Sequence, residues 1–212
     1  MNLPLEIVNS LQFYLGSDQE VDKLVILEPN LDRYYHDQMT DTDGKDPKKV
    51  LNLRITKHVD FNMYVNLKTL NCSHSRITSL DNLPSNFAPL NCWNNPLPSL
   101  DNLPRGLKTL YCGYNQLTSL DKLPATLKKL YCSHNQIRNL DKLPATLETL
   151  YCILNRITSL NKLPATLETL NCNDDDLTSL DNLPQGLKTL YYGGNQITSL
   201  DKLPKSLETL FK

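Results

Sequence analysis

Leu123-Pro124-Ala125-Thr126-Leu127-Lys128-Lys129-Leu130-Tyr131-Cys132-Ser133-His134-Asn135-Gln136-Ile137-Arg138-Asn139-Leu140-Asp141-Lys142 decides the fold, because Leu143-Pro144 starts the same phrase again. The period is 20 residues, and blocks of the form L-P-x-x-L-x-x-L-x-C-x-x-N-x-(I/L)-T-S-L-D-x open at Leu83, Leu103, Leu123, Leu143, Leu163 and Leu183. A half block runs from Leu203 to Lys212. Met63 to Asn82 is a degenerate first copy in which Tyr64 replaces the proline and Ser75 the asparagine, while Leu67, Leu70, Cys72, Ile77 and Leu80 hold their places. Seven and a half copies make this a solenoid, in which each block is one turn that buries its apolar face only against its neighbours.

The spacing within one block sets its local structure. Leu70 and Cys72 and their equivalents alternate, as one face of a short strand requires, so successive blocks add strands to a parallel sheet. Ile77 and Leu80 turn inward again after a bend, and Leu83 and Phe87 close the coil. Seven of the 13 prolines, Pro84 to Pro204, occupy the second position, where a fixed φ and a missing N–H suit extended chain and reject a helix. The side opposite the sheet is therefore expected to be extended or polyproline-like. Asn95, Asn115, Asn135, Asn155 and Asn195 form an inward ladder whose amides can satisfy backbone groups left unpaired by the turns. Asp175 interrupts that ladder. Lacking the amide's donors, it should weaken the sixth repeat or recruit a water or a protonated acid.

Residues 63 to 212 resemble the leucine-rich repeat family, in its short 20-residue class with L-P at the head of each block. They are similar to repeats of enterobacterial effector proteins. The recurring cysteine and the L-D-x-L-P link look more like repeats of giant DNA viruses and amoebal lineages. The resemblance implies a horseshoe of α/β repeat type with a concave parallel sheet. It leaves the ligand open.

Six cysteines, Cys72, Cys92, Cys112, Cys132, Cys152 and Cys172, invite a disulfide or zinc reading. Stacked coils place equivalent residues roughly 4.8 Å apart in a line. Such a line cannot converge tetrahedrally on one ion, and its side chains point the same way, a poor geometry for a bridge. A core ladder of free thiols is expected, with no metal and no cofactor. At the seventh rung Tyr192 replaces the thiol, its hydroxyl expected to reach solvent.

Ahead of the repeats the pattern changes. Pro4, Ile7, Val8, Leu11 and Leu15 keep helical spacing up to Gly16, and Ser17 with Glu20 forms a capping box for a second helix that ends at Pro29. Residues 1–45 are read as a helical segment with a polar linker from Asp37, and residues 46–62 as a capping strand, around Val50 to Ile55, with its connection. The opening Leu3-Pro4-Leu5-Glu6-Ile7-Val8 with Leu11 and Leu15 resembles the first helix of an F-box. That family docks onto a Skp1-type adaptor of cullin ubiquitin ligases, so the resemblance implies adaptor contacts through Leu3, Pro4, Ile7, Leu11 and Leu15. Gln12 stands where the family usually has leucine, and the Cys-Lys-x-Trp stretch of its second half has no counterpart. A plain helical cap over the first coil is the other reading.

Composition and motif search narrow the function. The 22 basic and 23 acidic residues give a net charge of −1, against a nucleic-acid or membrane-surface binder working by bulk charge. No run reaches the roughly 18 apolar residues of a membrane helix, and Met1 to Ser10 has no basic residue ahead of its apolar run, so a cytoplasmic protein is expected, in the host cell if viral or an effector. His36, His58, His74 and His134 are scattered, and Asp174, Asp175 and Asp176 lack Ca²⁺-loop spacing. No enzyme is expected. The candidate partner site is the concave face: a tyrosine row, Tyr111, Tyr131 and Tyr151, continued at Tyr191 after Asn171, with Trp93, Tyr114, His134, Ile153 and Leu154 just beyond. The same row can instead stabilise the sheet by stacking. Leu203, Leu207 and Leu210, at the open end of the stack, suggest weak homodimerisation through that edge.

Overall fold

The computed structural model describes the backbone of residues 52–54 and all atoms of 64, 66–84 and 88–212. The expected helices of residues 1–45, their F-box or cap role, and the rest of the 46–62 connection lie outside the described residues. Among the described residues nine strands follow one another in a single parallel sheet, each paired with the next: β1 (Asn52–Arg54), β2 (Thr69–Asn71), β3 (Leu90–Asn91), β4 (Thr109–Tyr111), β5 (Lys129–Tyr131), β6 (Thr149–Tyr151), β7 (Thr169–Asn171), β8 (Thr189–Tyr191) and β9 (Thr209–Phe211). Along β4 to β9 the register advances by 20 residues per strand, Leu110 to Leu130 to Leu150, so every side chain stands beside its equivalent one rung away. Pro89 lies where β2 and β4 to β9 carry threonine or lysine, and β3 is shorter by that residue.

The strands are short because turns flank them. From Pro104 to Pro204, the bend after each block's Leu-Pro pair closes with the leucine three residues beyond the proline, as in Leu127 N–H to Pro124 C=O at 3.1 Å. Among the described residues no helix occurs, and the side away from the sheet is built of bends and extended chain, as the prolines require. Thr126, Thr146 and Thr166 fasten this side, each hydroxyl donating to two carbonyls of the preceding coil. Exposed ion pairs such as Lys142–Asp121 at 3.0 Å add little.

The core runs through the centre of the coil as stacked columns. Leu70, Leu90, Leu110, Leu130, Leu150, Leu170 and Leu190 form one, the six thiols the next, and Leu97, Leu117, Ile137, Ile157 and Leu177 a third, all but completely buried. The cysteines are free, and the thiols of Cys72, Cys92, Cys152 and Cys172 lie 3.3 Å from a carbonyl of the following rung. Tyr192 ends the thiol column inside the core, with only 7% of its surface exposed.

The asparagine ladder is realised bond by bond. Asn135 Oδ1 accepts the Leu117 N–H at 3.0 Å, and its amide nitrogen meets the carbonyls of Cys112, Cys132 and Ser133 at 3.0, 2.9 and 3.3 Å. Asn95, Asn115, Asn155 and Asn195 repeat the pattern. Each therefore serves two coils, its own and the one before.

Candidate functional site

Side chains opposite the core leucines stand on the outer face of the sheet, and the 20-residue register brings them into rows. The tyrosine row is stacked: ring centroids of Tyr111 and Tyr131 lie 4.6 Å apart at 19°, those of Tyr131 and Tyr151 5.1 Å at 27°. Strand spacing imposes these distances. Tyr191 is separated from Tyr151 by Asn171 and stacks instead on Phe211, at 4.6 Å and 4°. Because each ring covers the next, Tyr111 is only 7% exposed and Tyr191 9%, whereas Tyr131 and Tyr151 are half-buried. Burial also raises the Tyr191 phenol above its ordinary value. Thus the row stacks between rungs and offers a partner mainly ring edges.

A second row, two residues on, comprises Trp93, Gly113, Ser133, Ile153, Asn173 and Gly193. The Trp93 indole lies on the Gly113 backbone, where a β-carbon would fall inside the ring. Gly113 is thus a close-approach glycine that lets the indole lie flat. Ile153 is 3% exposed, covered by its neighbours.

The third row carries a feature that spacing alone does not reveal. His74, Asn94, Tyr114, His134, Leu154, Asp174 and Gly194 all have left-handed backbone, with φ from 52 to 66°. From His74 to Asp174 each donates its N–H to the following rung, as Tyr114 to Ser133 C=O at 2.9 Å, and the chain must then reverse to carry the ladder asparagine or aspartate inward. Glycine, asparagine and aspartate take up this conformation easily. For tyrosine and leucine it costs roughly 1–2 kcal/mol. Tyr114 and Leu154 are nevertheless there, 37% and 38% exposed. Tyr114 stacks on His134 at 3.8 Å and meets Trp93 at 5.2 Å and 50°, so Trp93, Tyr114 and His134 form one aromatic cluster. Burial pushes the His134 imidazole down to about 4, leaving it neutral at physiological pH, and its Nε2 is buried with no partner among the described residues. At the first rungs of the row Asn94 and His74 are hydrogen-bonded side chain to side chain at 2.9 Å.

Of the residues expected at this site, the structure brings Trp93, Tyr114 and His134 into contact and leaves Leu154 exposed on the next rung; Tyr111, Tyr131 and Tyr151 lie alongside. The adaptor set Leu3, Pro4, Ile7, Leu11 and Leu15 lies outside the described residues. Among the described residues no group of three or more potential ligands could hold a metal, and no helix long and apolar enough to cross a membrane occurs.

A repeated succession of strand, asparagine turn and proline-led extended segment, with leucines filling the inside, is a leucine-rich repeat solenoid. Solved structures of bacterial proteins share it. YopM from Yersinia enterocolitica superposes with a TM-score of 0.70 at 34% identity over 77% of this chain and 37% of its own. The leucine-rich repeat domain of a Shigella effector gives 0.59 at 35% identity, over 66% of this chain and 63% of its own. The functional domain of InlJ from Listeria monocytogenes, described as including a cysteine ladder, gives 0.52 at 29% identity over 76% and 43%. This chain thus spans between about a third and two thirds of those relatives' lengths. No family model matches the sequence, and no curated relative does. None of these descriptions indicates an enzyme family.

Proposed function

We propose that the protein is a non-enzymatic interaction module that holds a partner protein on the sheet face, centred on Trp93, Tyr114, His134 and Leu154 and flanked by Tyr111, Tyr131, Tyr151, Ile153 and Tyr191. The observation that carries this reading is the left-handed row. Asn94, Asp174 and Gly194 show which residues suit the conformation, and Tyr114 and Leu154 occupy it at an energetic cost while exposing apolar surface. Large apolar side chains at the centre of an interface typically contribute ~2 kcal/mol or more each. Replacing Tyr131 and Leu154 by serine should remove the partners captured by the full chain from host-cell lysate. An unchanged set of captured proteins would end this reading.

Three finer elements belong to the same proposal. A ubiquitin-ligase receptor role, with a Skp1-type adaptor held by Leu3, Pro4, Ile7, Leu11 and Leu15, rests on the helix resemblance; Pro4→Ala with Ile7→Ala should abolish adaptor binding and leave the repeats folded. Action in a host cytoplasm is supported by the effector character of the structural neighbours. Weak self-association, which rests on the reading of Leu203, Leu207 and Leu210 in the sequence, is the third element, and a mass independent of concentration would refute it.

A further inference from the structure

In the regular rungs the ladder asparagine does two jobs with two atoms. Its oxygen accepts backbone N–H groups from the preceding coil, and its nitrogen donates to the carbonyls of the two cysteine positions and of the residue after its own cysteine. For Asn155 those carbonyls are Cys132, Cys152 and Ile153, at 3.2, 2.8 and 3.4 Å. Asp175 keeps the first job unchanged. Its Oδ1 accepts from Asn155 and Ile157, both at 3.1 Å. By equivalence with the regular rungs, the second oxygen takes the place of the amide nitrogen, whose acceptors would here be the carbonyls of Cys152, Cys172 and Asn173. It is buried and has no partner. Those carbonyls already accept from the Asn155 amide, the Asn195 amide and the Leu154 N–H.

We propose that Asp175 is a proton-operated joint between the fifth and sixth coils: as the neutral acid its Oδ2–H donates to this carbonyl cluster and the coils stay closed, and as the carboxylate it faces only lone pairs and the coils part. A carboxylate among carbonyl oxygens is repelled by every neighbour, whereas a carboxylic acid restores one of the donors that asparagine supplies. The titratable surroundings agree. The preceding rung contributes the Cys152 thiol, its own rung the Cys172 thiol and the Asp174 and Asp176 carboxylates, and the following rung the buried phenol Tyr192; none brings a positive charge, and Arg156 is exposed. Burial, and then the neighbouring aspartates, push the Asp175 carboxyl up to about 8, against the lowering effect of its two N–H bonds. Both thiols are raised by burial and stay protonated across that range.

The isosteric variant Asp175→Asn tests this in the full chain, since it rebuilds the regular rung. The thermal midpoints of the two proteins should separate as pH rises from ~6.5 to ~9, the natural chain falling by ~5 °C or more relative to the variant. Protection of the Asn155 and Ile157 amides against hydrogen exchange, relative to the intrinsic rate at each pH, should fall over the same range in the natural chain only. Infrared difference spectra at pH 6.5 should show a carboxylic-acid C=O band that the variant lacks. A constant gap between the midpoints from pH 6.5 to 9, or no acid band at pH 6.5, would overturn the proposal.

Discussion

The ring of Tyr114 lies 3.8 Å from that of His134, 19° from parallel, although both residues have left-handed backbone. The stack is held by successive coils, so its cost falls on the fold and its benefit on whatever binds it. If that division is right, asparagine at both Tyr114 and Leu154 should keep or raise stability to chemical denaturation by up to about 1 kcal/mol per site, while partner capture is lost. A destabilised double variant would show that these side chains serve the solenoid.

The indole of Trp93 lies on Gly113, and Trp93 is the only tryptophan of the chain, so its fluorescence reports this contact alone. Gly113→Ala should lift the ring, shift its emission to longer wavelength, and weaken partner binding with the sheet intact. Emission identical to that of the natural chain would mean that the backbone yields instead.

Asn135 makes four bonds, all in the interior. Replacing it by alanine orphans a backbone N–H and strips the carbonyls of a donor, at a cost of ~3 kcal/mol or more in urea unfolding. Asn135→Asp should instead import the behaviour of Asp175, with near-natural stability in mild acid and a loss above neutrality.

Two titrating groups shape the pH profile in opposite directions. Above the ordinary carboxyl value and up to about 8, folded Asp175 holds a proton that the unfolded chain has released, so stability falls as pH rises through that window. From the ordinary imidazole value down to about 4, the unfolded chain binds a proton that folded His134 does not, so stability falls as pH drops. Denaturation midpoints of His134→Gln against the natural chain should therefore converge, or cross in favour of the variant, on acidification below about pH 6.

The thiols should be silent until the fold opens. Burial pushes Cys72 up to about 12 and raises Cys92, Cys152 and Cys172, and all six thiols are fully enclosed. A maleimide at neutral pH should label none of them in the native protein and all six in denaturant. Partial labelling under native conditions would identify the coil that opens first.

Much of this was legible in the sequence because a 20-residue period repeats each inference. Leu110, Cys112 and Asn115 are inward for the same reason as Leu130, Cys132 and Asn135, so the sheet, the core columns and the asparagine ladder follow from spacing. Rows read one residue at a time hide what lies between rungs. Tyr111 and Ile153 were expected on the outer face and stand there, but lateral stacking leaves them nearly buried. The left-handed row had a faint signal, in that Asn94, Asp174 and Gly194 share a position with Tyr114 and Leu154. A non-glycine, non-repeating position gave no reason to read it as a conformational demand. Asp175 was visible as an exception, while the carbonyl cluster around its second oxygen required coordinates.

The asparagine ladder gives the solenoid a direction. Each turn is completed by the side chain of the coil after it: Asn115 closes the Leu97 turn, and Asn135 the Leu117 turn. Removing coils from the C-terminal side strands backbone N–H groups in the turn left behind. Removing them from the N-terminal side leaves the turns closed: it strands the asparagine oxygen, which can turn to water, and inter-coil N–H groups such as those of Gln136 and Glu148. Excising any whole block of 20 residues from the middle joins a turn to an equivalent closer. Nested truncations should therefore lose cooperativity faster from one end than from the other, and the number of coils becomes a quantity that can drift without any single contact being redesigned.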